Sequence, residues 1–341
     1  MRHLKDSAAG LALALGLAGG SASAIAEEYR IFVSNEYGAN ISVLSSEGEQ
    51  IMMIPISGRP GDVRPRGMAV GPDGRTIYVA VSDFLPLTET DEDQVVAIDV
   101  ASGEVIRSYR AGGNPERVAI SPDGTQIWAA LEAIAQGVGI DVETGEELGR
   151  FQTGVEPEGV GISPDGRWVY ITGETSHTVT VIDAENLQLV THMLVGNRPR
   201  DVVFSPDGTR AYASAEIGGT ISVIDVEQHR VIENISMGLD SRPVEVALSP
   251  DGGYLYVAGG GTSTVYVIDT ATNTVAHEIS ERMGRRPWGI AVSPDGSTVY
   301  TANGLSDSVS VIDTGCMCVT NEFMSGRGSH SVEVGVFRAD D

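Results

Sequence analysis

The sequence predicts an all-β fold, a seven-bladed β-propeller of four-stranded antiparallel blades, and three observations lead there. A Pro-Asp-Gly turn recurs six times, at Gly71-Pro72-Asp73-Gly74 and then as Ser-Pro-Asp-Gly from Ser121, Ser163, Ser205, Ser249 and Ser293. The intervals are 50, 42, 42, 44 and 44 residues. A second marker keeps the same period: Ala97-Ile98-Asp99, Gly139-Ile140-Asp141, then Val-Ile-Asp from Val181, Val223, Val267 and Val311. Between the markers, apolar residues alternate with small or polar ones, as in strands with two unlike faces. A repeat of roughly 40 to 45 residues built from such strands is the length of one propeller blade.

The repeat from Arg198 illustrates each element. Asp201 to Phe204 reads as the inner strand, Ser205-Pro206-Asp207-Gly208 as its turn, and Ala211 to Ser214 as the second strand. After Gly218-Gly219, Thr220 to Asp225 makes the third strand and Val231 to Ser236 the fourth. Proline pre-sets the first turn position, aspartate bonds the local backbone and glycine accepts positive φ. The motif therefore has a structural reason to recur, and its aspartates are assigned no catalytic role.

Third strands count seven: Ile41 to Leu44, and the six segments ending at Asp99, Asp141, Asp183, Asp225, Asp269 and Asp313. Only six Pro-Asp-Gly turns exist because the first blade lacks an inner strand of its own. Arg30 to Ser34 opens directly as a second strand, and Ser331 to Val336 is left over at the other end. These two are expected to pair, closing the ring with both ends of the chain in one blade and leaving no free sheet edge.

Residues 1–26 read as a secretory signal peptide: Arg2, His3 and Lys5, a short apolar run from Ala8 to Ala18, then Ser21-Ala22-Ser23-Ala24 for cleavage. Residues 27–341 are then expected to form one propeller domain, periplasmic or secreted, with no segment suited to a membrane. The chain carries 22 basic and 47 acidic residues, for a net charge of −25. Such a surface repels nucleic acid and anionic lipid, and suits a cation, a basic protein or a salty exterior. A monomer is expected. Cys316 and Cys318 are the only cysteines. Neither a bridge nor a metal between them is the expectation, since a structural zinc site needs about four ligands and no partner pair is visible.

Second strands such as Tyr78-Val79-Ala80, Tyr256-Val257-Ala258 and Tyr300-Thr301-Ala302-Asn303, followed by Val-Ile-Asp, resemble the YVTN-type β-propeller repeat. More narrowly, Ser34-Asn35-Glu36, Arg64-Pro65-Arg66-Gly67, Glu156-Pro157-Glu158-Gly159, Glu216-Ile217-Gly218-Gly219-Thr220 and Asn303-Gly304-Leu305-Ser306 are similar to the PQQ-dependent catabolism-associated β-propeller family. That resemblance implies a periplasmic protein beside quinoprotein alcohol dehydrogenases, with a quinoprotein dehydrogenase or a cytochrome as partner. The chain departs from the family's pattern in an acidic loop, Leu85 to Asp93, and in Gly315 to His330, which lacks an Arg-Pro-Trp-Gly.

Successive loops of an antiparallel blade alternate between faces. The Pro-Asp-Gly turns and those after Val-Ile-Asp share one face and are repetitive. The other face has variable loops, as binding loops on rigid scaffolds do. After the second strand, Glu36, Glu132, Glu174 and Glu216 fall at one equivalent position, with Ser82, Gly260 and Gly304 in the other blades. Before the inner strand, the residue after proline is Arg66, Glu116, Glu158, Arg200, Val244 or Trp288, with His330 the seventh. The next positions add Arg117, Asp201 and Glu245, and all of these are expected to ring the mouth of the channel. Three readings of the ring stand side by side: an arginine–glutamate network that satisfies itself, a partner or small-ligand site, and a calcium site on clustered oxygens. Glu132, Glu174 and Glu216 are the metal candidates, and His177 lies on the same face.

No Gly-x-Ser-x-Gly and no Cys-x-x-Cys-His is present, so neither a serine nucleophile nor covalent haem is indicated, and no residue is named catalytic. Asp141-Val142-Glu143-Thr144-Gly145 matches half of a quinoprotein repeat, but Trp128, Trp168 and Trp288 are too few for the tryptophan contacts, so bound PQQ is not expected. The expectation is a non-catalytic scaffold accessory to a quinoprotein oxidation system, binding a partner protein or small ligand at its charged mouth through Glu36, Arg66, Glu132, Glu158, Glu174, Arg200, Glu216 and Trp288. The alternative is a metal-assisted lactonase-type hydrolase that uses the same glutamates.

Overall fold

The computed structural model describes residues 29–56, 63–83 and 93–336. The proposed signal peptide lies outside them, as does the acidic loop except for Asp93, a buried residue whose carboxylate accepts the Asp83 amide at 3.2 Å. Among the described residues no helix is long and apolar enough to cross a membrane.

The described strands form seven four-stranded antiparallel sheets, each one blade. Six blades are contiguous in sequence, as in the fifth, where Pro199–Phe204, Arg210–Ala215, Thr220–Asp225 and Arg230–Ser236 run from inner to outer strand. The remaining blade takes its inner strand, Ser329–Val336, from the far end of the chain and pairs it with Tyr29–Asn35. Ile31 lies opposite Val334 and Val33 opposite Val332, so the expected pairing of the two ends of the chain is present. The missing Arg-Pro-Trp-Gly does not disturb it, because Ser329 and His330 take the equivalent places.

Blade-to-blade contacts make the core. Tyr170, Val179 and Val181 of the fourth blade pack on Val202, Phe204 and Ala211 of the fifth, and seven such apolar clusters each join two adjacent blades. The cluster across the closing blade joins Ile31, Val33 and Val332 to Tyr300 and Val309, so the ring has no weaker seam there. Burial of this order drives association of amphipathic sheets at about 25 cal/mol per Å² of apolar surface.

All seven inner strands are bulged near their start, six just after the first residue and the second blade's after its third, Pro65. In the fifth blade Pro199 pairs with Ala215 and Val202 with Ala213, so Arg200 and Asp201 together face the single residue Ser214. A bulge re-aims side chains that strict alternation would send to opposite faces. Here it turns two consecutive residues toward the channel at different depths. The inner strands also approach one another closely: a Cβ on Gly159 would meet the Arg200 carbonyl oxygen at 2.5 Å and the Asp201 Cα at 2.6 Å. Glycine is required there for space, not for φ.

Candidate functional site

At the variable face the channel opens into a cavity of about 350 Å³, within the range of small-molecule sites. Glu36, Arg66, Glu132, Glu158, Glu174, Arg200 and Trp288 all line it, together with Glu116 and His330. The repeat geometry therefore converges residues up to 294 positions apart, from Glu36 to His330. Glu216 is the exception. It stands behind the wall, where its Oε2 accepts Arg200 Nε at 2.8 Å, because the guanidinium turns it away from the opening.

Arg64, Arg198 and Arg286 line the same cavity although the sequence reading did not assign them a role. They share a signal that was legible: each stands immediately before the proline at or near the start of an inner strand. Arg198 and Arg286 hold left-handed φ of 61° and 56°, which lifts their side chains over the rim. Five arginines thus meet five glutamates at the mouth of a protein that is otherwise strongly acidic.

Two ion-pair groups organise these charges. Arg66 Nη1 donates to Glu36 Oε1 at 2.7 Å and Nη2 pairs with Glu116. On the other wall Arg200 pairs with Glu174, Glu158 Oε1 at 3.1 Å and Glu216, while Arg198 Nε donates to Glu174 Oε2 at 2.7 Å. Buried guanidinium–carboxylate pairs of this kind fix geometry more reliably than they add stability.

The carboxyls at the mouth differ in protonation. Burial, reinforced by the charge of Glu158, pushes Glu174 up to about 8. For Glu158 burial works in the same direction, but Arg200 and Arg66 outweigh it and hold the group below its ordinary value. One neutral acid and one carboxylate therefore share the Arg200 wall at neutral pH. Opposite them, burial raises Glu116 well above the usual range and raises Glu132 as well. His330 is held far below its usual range by burial and by the guanidinium charges of Arg66, Arg117 and Arg200, so its ring is neutral.

Below Trp288 the floor is incompletely satisfied. His330 packs on Trp288 at 5.5 Å between ring centroids, and neither imidazole nitrogen has a hydrogen-bond partner. Arg66 Nε also lacks one. Buried polar atoms normally find partners, and an exception calls for a ligand or water. The Trp288 ring itself lies near two cations, Arg200 at 5.1 Å and Arg286 at 4.7 Å.

Arg117, Asp201 and Glu245 do not ring the mouth as expected. The inner-strand bulge sends them one level deeper, where Arg117 Nε faces Asp201 Oδ1 at 3.5 Å, Nη1 pairs with Glu245, and Nη2 faces Glu333 Oε1 at 3.9 Å. Arg117, Asp201 and Glu333 border a second cavity of about 350 Å³. Burial pushes Glu245 up to about 7 and Glu333 up to about 8.

The three metal candidates each face a nitrogen partner. Among the described residues no group of three or more His, Cys, Asp or Glu is arranged to hold a metal. Glu174 and Glu216 face guanidinium groups, and Glu132 Oε2 accepts the Asn114 side-chain amide at 2.9 Å, so a calcium ion would have to displace existing partners. His177 Nδ1 lies 3.1 Å from the Arg198 amide nitrogen and 2.9 Å from the Glu174 carbonyl oxygen. The cysteine expectation fails, because Cys316 and Cys318 form a disulfide.

Comparison with known proteins bears on the activity. The family model described as "Lactonase, 7-bladed beta-propeller" matches residues 185–317, a stretch that contains Arg198, Arg200, Glu216, Arg286 and Trp288. The match overturns the expectation of a non-catalytic accessory protein and favours the hydrolase alternative. No curated protein matches the chain. Among solved structures, a candidate 6-phosphogluconolactonase from Bacteroides fragilis is 18% identical with a TM-score of 0.73, over 92% of this chain and 99% of that one. Another from Bacteroides uniformis is 16% identical with a TM-score of 0.71, over 90% and 99%. Hydrazine synthase from Kuenenia stuttgartiensis is 21% identical with a TM-score of 0.70, over 83% and 97%. At these identities the structures share the propeller fold with this chain and no more.

Proposed function

We propose that the protein is a lactonase-type hydrolase that opens a cyclic ester at the arginine–glutamate mouth. The observation that carries this reading is the lactonase family match over residues 185–317, which includes Arg198 and Arg200, the guanidiniums that pair with a neutral and a charged carboxyl, Glu174 and Glu158, from outside the matched stretch. Ester hydrolysis needs a base to activate water, donors for the carbonyl oxygen as it gains charge, and an acid for the departing alkoxide. Pairs of carboxyls whose surroundings push them apart in acidity suit the two proton-transfer roles.

In this reading the Glu158 carboxylate takes a proton from the attacking water. Arg200 and Arg66 stabilise the oxyanion, and Glu174, protonated at neutral pH, gives its proton to the ring oxygen as the carbon–oxygen bond breaks. Glu216 holds Arg200 in place from behind. Trp288 offers a flat surface for the ring. The product is a hydroxy acid whose new carboxylate faces Arg64, Arg198 and Arg286, also at the cavity.

The narrower kinship to the PQQ-associated family is part of the proposal, since quinoprotein oxidation of a cyclic hemiacetal yields a lactone and would supply the substrate. Export with removal of residues 1–26 belongs to the same reading, and N-terminal sequencing of the protein from the cell envelope and medium checks it. The enzymatic test is a panel of five- and six-membered lactones, with and without hydroxyl groups, followed by acid release. Saturable hydrolysis of at least one member above the spontaneous rate is expected. Rates at background across the panel would refute the assignment.

A further inference from the structure

The disulfide between Cys316 and Cys318 lies in the hairpin turn after Val311-Ile312-Asp313, on the face opposite the mouth, and both cysteines are exposed. The other blades supply internal controls for what the bridge does to the turn. In this blade the Cys316 amide donates to Asp313 Oδ1 at 2.8 Å. At the same position Gln228 donates to Asp225 at 2.8 Å, Asn186 to Asp183 at 2.9 Å and Thr272 to Asp269 at 2.9 Å. Thr144 to Asp141 and Ser102 to Asp99, both at 2.7 Å, repeat the bond.

The residue between the cysteines follows the same rule. Met317 has φ of 51°, against 47° for His229, 54° for Asn273 and 52° for Leu187 in the equivalent places. Strand re-entry also matches, with Asp313 opposite Cys318 as Asp225 is opposite Arg230, Asp183 opposite Gln188 and Asp269 opposite Thr274. An aspartate side chain and one left-handed residue build this turn in blades that hold no cysteine. The bridge adds nothing to its geometry. Its contribution to stability is also small, because the entropy removed from the unfolded chain grows with loop length and this loop spans a separation of only two residues.

A solvent-exposed bridge that neither shapes its turn nor closes a long loop is placed for chemistry. We propose that Cys316–Cys318 is a thiol–disulfide exchange site that accepts two electrons from a dithiol. A partner thiolate attacks one sulfur, the Sγ–Sγ bond breaks and a mixed disulfide forms. The partner's second thiol then displaces the remaining cysteine. Two thiols are left on this chain and one disulfide on the partner, with two electrons and two protons transferred. This site is independent of the lactonase reading.

The test uses the folded full chain. Free thiols are first counted by maleimide labelling, then counted again after treatment with dithiothreitol or with a peptide containing a Cys-x-x-Cys pair. Expected are no labels before treatment and two afterwards, with the melting temperature moving by less than about 3 °C. Labelling with dithiothreitol alone identifies small dithiols as the reductants, and labelling with the peptide as well extends the site to polypeptides. The double variant Cys316→Ser/Cys318→Ser is expected to take no label and to keep its melting temperature. Two outcomes overturn the proposal: a pair that labels only once the chain is unfolded, or a double variant that loses more than about 5 °C, either of which makes the bridge structural.

Discussion

The two faces of this propeller carry the same chemical group in opposite conditions. On the turn face, Asp123, Asp165, Asp207, Asp251 and Asp295 each accept the hydroxyl of the serine two residues earlier, at 2.5 to 2.6 Å. That bond, with neighbouring backbone amides, lowers every one of them below its ordinary value. On the mouth face, burial raises Glu116, Glu132 and Glu174. The turn carboxylates find partners within a few residues and would do so in any blade. Glu116 and Glu174 find theirs in other blades, Arg66 for the one and Arg198 and Arg200 for the other, and Glu132 bonds Asn114, eighteen residues earlier. Local satisfaction marks a structural group, whereas long-range and incomplete satisfaction marks a group kept for chemistry.

The sharpest way to break that contrast is to neutralise one acid on each face. Glu174→Gln or Glu158→Gln is expected to lower kcat for a lactone by about 100-fold or more, the usual scale for losing a proton-transfer group. Circular dichroism should show each variant folded. Removing a guanidinium lowers stability as well as turnover. Arg200→Met leaves Glu158, Glu174 and Glu216 facing one another, and breaking a buried ion-pair group costs about 3–5 kcal/mol, read as a lower denaturation midpoint.

Acidity sharpens the comparison on a finer scale. Glu174, Glu245 and Glu333 titrate at about 8, 7 and 8 in the folded state, each raised first by burial. The folded protein therefore binds more protons than the unfolded chain, whose glutamates titrate near 4.5. Stability from these groups is complete below that value and is lost as pH rises through 7 and 8. The turn aspartates act in the reverse direction, losing their contribution only in acid. Melting temperatures should thus be highest near about pH 5 and fall toward pH 8.5, and Glu333→Gln should flatten the alkaline side. The smallest effect belongs to the turn face: Asp207→Ala should cost about 1 kcal/mol, the scale of one or two local hydrogen bonds, with lactone turnover unchanged.

Much of the fold was legible in the sequence because blades repeat. The Pro-Asp-Gly and Val-Ile-Asp markers set strand count and order, and the unpaired Ser331 to Val336 announced its pairing with the first strand. The glutamate column at Glu36, Glu132 and Glu174 followed from aligning blades. Depth did not follow, because a bulge places Arg200 at the mouth and the adjacent Asp201 a level below, and alignment carries no third dimension. Glu216 was read as a wall residue for a related reason: only the path of the Arg200 guanidinium decides which glutamates it draws back. The sequence did not single out the proposed acid and base because they are not a motif. Glu158 and Glu174 are unremarkable alone, and their difference arises from Arg200 and from burial.

The most direct measurement is the pH dependence of kcat/KM for a hydrolysed lactone, run side by side on the native protein and on Glu174→Gln. The account predicts native activity that declines above about pH 8, where Glu174 loses its proton, and a variant about 100-fold or more slower. A Glu174→Gln protein with native activity across the whole range would contradict it.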